Sequence, residues 1–139
     1  MWKLSKEKDV EIFATPGNGG ISQVAECIDI KADNIEELRN FAIKNKIDLT
    51  IVGPELPLSL GIVNAFCEAN LKIFGPTKEG AILESSKAFA KDFFSKYNIP
   101  TAKYKIFSSF EEAKKYVENL SFPVVIKADG LAAGKGSIV

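Results

Sequence analysis

The sequence contains no histidine. That absence removes the commonest metal ligand and the usual general base near neutral pH, so a histidine-based triad is excluded and a zinc site has almost nothing to be built from. Cysteine is scarce: Cys27 and Cys67 are the only two, and their separation matches no metal-ligand spacing. Two lone thiols point to reduced side chains in a cytoplasmic protein rather than to a disulfide framework. Net charge is also lacking, with 18 Lys+Arg against 18 Asp+Glu. The bases are interspersed with acids, which gives no reason to expect a nucleic acid or a membrane surface as partner. No apolar run is long enough to span a bilayer, and no signal-peptide pattern opens the chain. What is present is ordinary for a water-soluble protein: 46% hydrophobic and 26% charged over 139 residues, enough for one domain or for a small domain and part of another.

Strand-like apolar runs alternate with helical patterns, which predicts an α/β fold with a largely parallel sheet. Trp2 to Lys8 reads as the tail of a helix, Val10 to Ala14 as a strand, and Cys27 to Ile30 as a short extended piece. Asn34 and Glu37 form a capping-box pattern ahead of a helix running to Lys44, with Ile35, Leu38, Phe41 and Ala42 on one face. Strands follow at Leu49 to Val52 and Leu71 to Phe74. Between them Pro57 is placed to open a helix that is apolar nearly all round, from Leu58 to Cys67, and therefore deeply packed. Two successive helices, 78–84 and 87–97, then change the pattern; Phe89, Phe93, Phe94 and Tyr97 are expected in a core. A strand at Lys103 to Phe107 and a helix at 109–120, capped by Ser109 and Glu112, precede a closing hairpin of Val124 to Ile126 against Ser137 to Val139. The change near residues 76 to 86 divides the chain into residues 1–80 and 81–139.

Three glycine-bearing stretches are candidates for function. Asp129-Gly130-Leu131-Ala132-Ala133-Gly134-Lys135-Gly136 lies between two strands. Gly130, Gly134 and Gly136 allow close backbone approach, backbone N–H groups in such a loop can face phosphate oxygens, and Lys127 and Lys135 add point charges suited to phosphate. The spacing is not that of a Walker A loop, since one residue is missing and Gly136 replaces the Ser/Thr. A hairpin with solvated lysines fits the same residues. Gly17-Asn18-Gly19-Gly20 lacks the third glycine of a dinucleotide fingerprint, Ser22 standing there instead, and reads equally as a plain turn. Gly53-Pro54-Glu55 follows a strand, where ligands collect in open α/β sheets, but Glu55 also suits a helix N-terminus. Lys87 in a first helical turn opposes the helix dipole, a cost that a bound anion would offset.

Taken together, "TPGNGG", "IDLTIVGPELPLSLGIVNAF", "KIFGPTKEGAILESSKAFAKDFFSKYNIPTAKY" and "FPVVIKADGLAAGKGSIV" resemble the phosphoribosylamine–glycine ligases (glycinamide ribonucleotide synthetases), ATP-grasp enzymes of purine biosynthesis. The resemblance runs in register over nearly the whole chain. It implies a biotin-carboxylase-like parallel-sheet domain followed by the first part of an ATP-grasp domain. It implies ATP contacts at Lys87, Lys127, Asp129, Gly130, Gly134, Lys135 and Gly136. It places Asn18, Gly19, Gly53, Pro54 and Glu55 on the surface facing glycine and 5-phosphoribosylamine.

The family's first strand and its Arg-Glu-His segment have no counterpart here, and the family continues beyond Val139 into its metal-binding Glu and Asn. The chain is therefore expected to be an N-terminal fragment, inactive alone, with the ligands for Mg²⁺ or Mn²⁺ outside it and a complementary fragment as a partner. Two other readings stay open: a different ATP-grasp carboxylate–amine ligase or a biotin-carboxylase-like enzyme, and a non-catalytic module that binds a nucleotide or phosphosugar.

Overall fold

The computed structural model describes residues 1–132 and 135–138, and divides them into two units, Met1–Lys78 and Glu79–Val139. The first unit is α/β with parallel pairing. β1 (Phe13–Ala14) lies beside β2 (Glu26–Cys27), with Phe13 opposite Glu26, and a 3-10 turn at Ile21–Gln23 connects them. β3 (Thr50–Ile51) pairs with β4 (Ile73–Phe74), Thr50 opposite Ile73. The expected sheet is thus drawn as separate two-residue ladders, each shorter than the apolar run that encodes it. The predicted N-terminal helix tail reduces to one 3-10 turn, Leu4–Lys6, which buries no residue and so gains nothing from packing.

Helix α1 (Ile35–Lys44) begins where the sequence places it. The Asn34 side chain accepts from the Glu37 N–H (3.3 Å) and donates to the Glu37 carboxylate (2.7 Å), satisfying an orphan donor of the first turn. Its inner face carries Leu38 and Ala42 into a core shared with Ile30, Ile62, Val63 and Phe66, of which Phe66 is only 1% exposed.

The β3–β4 crossover departs from expectation in two ways. It opens at Glu55 rather than Pro57, with Pro54 extended as the cap. Pro57 takes the third helical position, where its missing N–H is still one that has no intrahelical partner. The predicted single helix is also two, α2 (Glu55–Leu60) and α3 (Ile62–Glu68), separated by Gly61 at φ +90°. Only glycine takes that left-handed conformation without a Cβ penalty. The break explains why the all-round apolar pattern does not mean all-round burial: Ile62, Val63 and Phe66 are buried, but Leu60 is 48% exposed and Cys67 is exposed.

In the second unit α4 (Lys78–Ser85, which starts at the boundary), α5 (Lys87–Lys96) and α6 (Phe110–Glu118) follow the predicted positions closely. The Ser109 hydroxyl accepts from the Glu112 N–H (3.4 Å) and donates to Glu111 (3.1 Å), so the carboxylate of the cap is Glu111, not Glu112. The predicted strand 103–107 makes no ladder. Side chains of α5 hold the segment ahead of it instead: Lys91 Nζ donates to Thr101 Oγ1 (2.6 Å) and to the Ala102 carbonyl (3.1 Å). Tyr104 is tied similarly, its hydroxyl donating to Asp92 (2.8 Å), and this bond to a carboxylate raises the phenol's pKa.

The aromatic core expected along α5 does not form. Phe89 is 41% and Tyr97 57% exposed, and Ala90 is the buried residue of the helix. The rings shield one another instead, Phe93 lying 4.6 Å from Tyr97 and 6.3 Å from Phe89 between centroids. Phe93 and Phe94 are half-buried. The closing hairpin is present as β5 (Ile126–Lys127) antiparallel to β6 (Ser137–Ile138); Val139, at its predicted end, lies outside the described residues.

Candidate functional site

The substrate-facing candidates occupy the loops that leave the carboxyl ends of β1 and β3. After β3, Gly53 and Pro54 join Thr15, Val52, Pro57 and Ile62 around a pocket of about 80 Å³. Thr15 belongs to the loop after β1, so two strand ends converge on this pocket, as the position of ligand sites in open α/β sheets requires. Asn18 and Gly19 are exposed and do not line it. The Asn18 carboxamide accepts from the N–H groups of Gly20 and Ile21 (3.0 Å each), closing the turn that starts the 3-10 segment. Glu55 is exposed in the first turn of α2, where a carboxylate faces the positive end of the helix. Thr15 was not singled out in the sequence. Its place directly after a strand and before Pro16-Gly17 is the signal that marks it.

The second group of candidates meets at the start of α5. The Asp129 carboxylate accepts from the Lys87 N–H (2.6 Å), the Ala88 N–H (3.1 Å) and the Ser86 hydroxyl (3.2 and 3.3 Å to its two oxygens). Ser86 Oγ in turn accepts from the Phe89 N–H (3.1 Å). The Ala90 N–H already reaches the Ser86 carbonyl (3.0 Å), so the first-turn donors of α5 are all engaged. The anion that offsets the misplaced Lys87 charge is therefore a residue of the chain itself. The Ala88 N–H above all, with those of Gly130 and Lys87 and the Ser86 hydroxyl, holds the Asp129 carboxyl below the usual carboxylate range, against a smaller desolvation effect.

Lys87 is half-buried, and its Nζ donates to the Gly130 carbonyl at 2.6 Å. Lys87, Asp129 and Gly130, 42 and 43 residues apart in the chain, are thus brought together. Gly130 adopts φ +87°, and a Cβ on Gly136 would stand 2.6 Å from the Ala132 Cβ, so both positions require glycine for stated reasons. Ala128 N–H donates to the Gly136 carbonyl (2.8 Å) and Lys135 N–H to the Ala132 carbonyl (2.8 Å), which folds the loop back on its own hairpin. The Lys127 and Lys135 side chains are exposed and make no hydrogen bond or ion pair among the described residues. Gly134, the remaining candidate, lies outside the described residues.

Residues 1–84 match the family described as phosphoribosylglycinamide synthetase, N domain. The chain belongs to this family. Residues 85–139 match the same synthetase's ATP-grasp (A) domain. The phosphoribosylamine–glycine ligases of Clostridium acetobutylicum and Caldanaerobacter subterraneus are each 54% identical to the chain over 99% of its length. A crystal structure of phosphoribosylamine–glycine ligase from Thermotoga maritima superimposes with a TM-score of 0.72 at 30% identity, covering 99% of the chain. The chain spans about a third of the length of these relatives, 33% of the two sequences and 31% of the crystallised chain.

Membership in an ATP-grasp synthetase family implies use of ATP and a divalent cation. Among the described residues no group of three or more His, Cys, Asp or Glu side chains is arranged to hold a metal ion. None of the described helices is long and apolar enough to cross a membrane.

Proposed function

We propose that this chain forms the amine-side domain and the phosphate-binding start of a ligase that joins glycine to 5-phosphoribosylamine at the expense of ATP. The observation that carries the reading is the meeting of Lys87 with the glycine-rich loop of an ATP-grasp domain. In the reaction, a glycine carboxylate oxygen attacks the γ-phosphorus of ATP, the bond to the β-phosphate oxygen breaks, and ADP leaves. The phosphoribosylamine nitrogen then attacks the carbonyl of the glycyl phosphate, and phosphate departs as the amine loses a proton. Positioned cations stabilise the charge that spreads over the transferring group.

Lys87, Lys127 and Lys135 supply that charge, and Gly130, Gly134 and Gly136 let the backbone approach the phosphates. The N–H groups of α5 are occupied, so the phosphates meet ammonium groups and loop backbone rather than the helix terminus. Asn18, Gly19, Gly53, Pro54 and Glu55 face the two small substrates, Gly53 and Pro54 through the pocket they share with Thr15.

The chain joined to the C-terminal two thirds of the Clostridium acetobutylicum ligase is the test. ADP release dependent on both glycine and phosphoribosylamine is expected; release driven by a different carboxylate or amine would overturn the substrate assignment. The 139-residue chain alone is expected to release no ADP above a protein-free blank, and glycine-dependent release from it would refute that part of the reading.

A further inference from the structure

We propose that Asp129 is a positioning residue whose carboxylate fastens the glycine-rich loop to the first turn of α5 and thereby fixes where the Lys87 ammonium is presented. The family resemblance places Asp129 among the ATP contacts, yet a carboxylate facing phosphate would repel it. In the fold its oxygens are directed to the Lys87 and Ala88 N–H groups and the Ser86 hydroxyl. These are charge-assisted bonds to an ionised acceptor, stronger than neutral ones. The next residue of the loop, Gly130, carries the carbonyl that receives Lys87 Nζ. Two contacts in opposite directions therefore close between the same pair of segments: backbone of α5 to side chain of the loop, and side chain of α5 to backbone of the loop.

The carboxylate also resolves a local conflict. A lysine at the first position of a helix is disfavoured by the helix dipole, and Asp129 places a full negative charge at that same end. Ser86 links the two devices, since its hydroxyl donates to Asp129 while accepting from Phe89. The latch itself stands on this geometry; its consequence for catalysis rests on the ATP reading above.

Trans-hydrogen-bond NMR couplings from the Lys87 and Ala88 amide nitrogens to the Asp129 carboxyl carbon, measured on the isotope-labelled chain, read the latch directly. Detectable couplings are expected; their absence overturns the proposal, whether or not any variant folds. In Asp129→Ala, amide exchange at Lys87 and Ala88 should accelerate about tenfold to a hundredfold, and the Lys87 ammonium resonance should move, while the amides of α3 stay unchanged. Equal exchange in both proteins overturns it.

In the joined enzyme, Asp129→Ala should lower kcat or raise the KM for ATP at least about tenfold with the KM for glycine unchanged. A lost latch with unaltered kinetics shows Asp129 to be merely structural and refutes the positioning role. If Lys87→Met and Lys127→Met also leave turnover unaltered, the ATP reading of the site fails, and the couplings still report the latch separately.

Discussion

The two units of this chain are held together by different means. In residues 1–78, Ile30, Leu38, Ala42, Ile62, Val63 and Phe66 form a buried apolar cluster, and parallel strand pairs sit beside it. Among the described residues of 79–139, the buried hydrophobic ones are Ala81 and Ala90, and α6 buries none. That unit relies on polar ties instead: Asp129 to the start of α5, Lys91 to Thr101 and Ala102, and Tyr104 to Asp92. Apolar burial is non-directional and adds up with area, whereas a polar tie acts only at its own geometry. Among the described residues the first unit thus packs by apolar burial, and the second holds particular groups in particular places.

The strongest way to break this contrast is to empty the apolar core. Phe66→Ala should destabilise the first unit by about 3–5 kcal/mol, because the transfer term and the cavity add. Phe89→Ala, at a ring that is 41% exposed and stacked on Phe93, should cost clearly less, about 1 kcal/mol. Chemical denaturation monitored by circular dichroism compares the two; similar losses would mean that the second unit has a core after all.

The next effect is functional. Lys127→Met in the joined enzyme should reduce ATP-dependent turnover about a hundredfold, the scale of losing one positioned electrostatic group. The thermal midpoint should stay within a degree or two, since the exposed side chain makes no hydrogen bond or ion pair among the described residues. A large shift in the midpoint with normal turnover would make the lysine structural.

A smaller effect separates capping from packing. Asn34→Ala should cost about 1 kcal/mol through the lost first-turn acceptor of α1, visible in urea unfolding of the first unit.

The smallest effect is a pH response. The Asp129 carboxyl is depressed in the folded chain, so its contribution to stability is fully present above the ordinary carboxylate range and is lost as pH falls through the lower folded value. The protection of the Ala88 amide, its exchange rate referred to the unstructured rate at each pH, should hold through the ordinary carboxylate range and fall only below it. Loss of protection within the ordinary range would mean that the tie is not made in solution.

The contrast between the units also governs what could be read in advance. Elements written in local chemistry were legible: the caps at Asn34 and Ser109 stand one residue ahead of α1 and α6. Periodicity correctly placed Leu38 and Ala42 inside. It failed where burial depends on what lies opposite, as for Phe89 and Tyr97, and where a single glycine changes the chain direction inside an apolar run, as at Gly61. The 103–107 strand failed because β propensity needs a partner strand to become a ladder.

At the candidate site, the lysines and glycines announced themselves by composition and by family resemblance. The bond from Lys87 to Gly130 and the engagement of Asp129 with Ser86 did not, because no spacing rule links residues more than forty positions apart. The pocket at Gly53 and Pro54 was signalled by its place after a strand, but the contribution of Thr15 needed the two loops in three dimensions.

The left-handed turn at Gly61 has a consequence for how sequence change is tolerated. It splits the crossover into α2, which exposes Leu56 and Leu60 and buries Pro57, and α3, which sends Ile62, Val63 and Phe66 into the interior. Drift at the exposed Leu56 and Leu60 carries little thermodynamic penalty, while Val63 and Phe66 remain under packing constraint. One residue without a side chain thus separates positions free to vary over evolutionary time from positions that decide whether the domain folds.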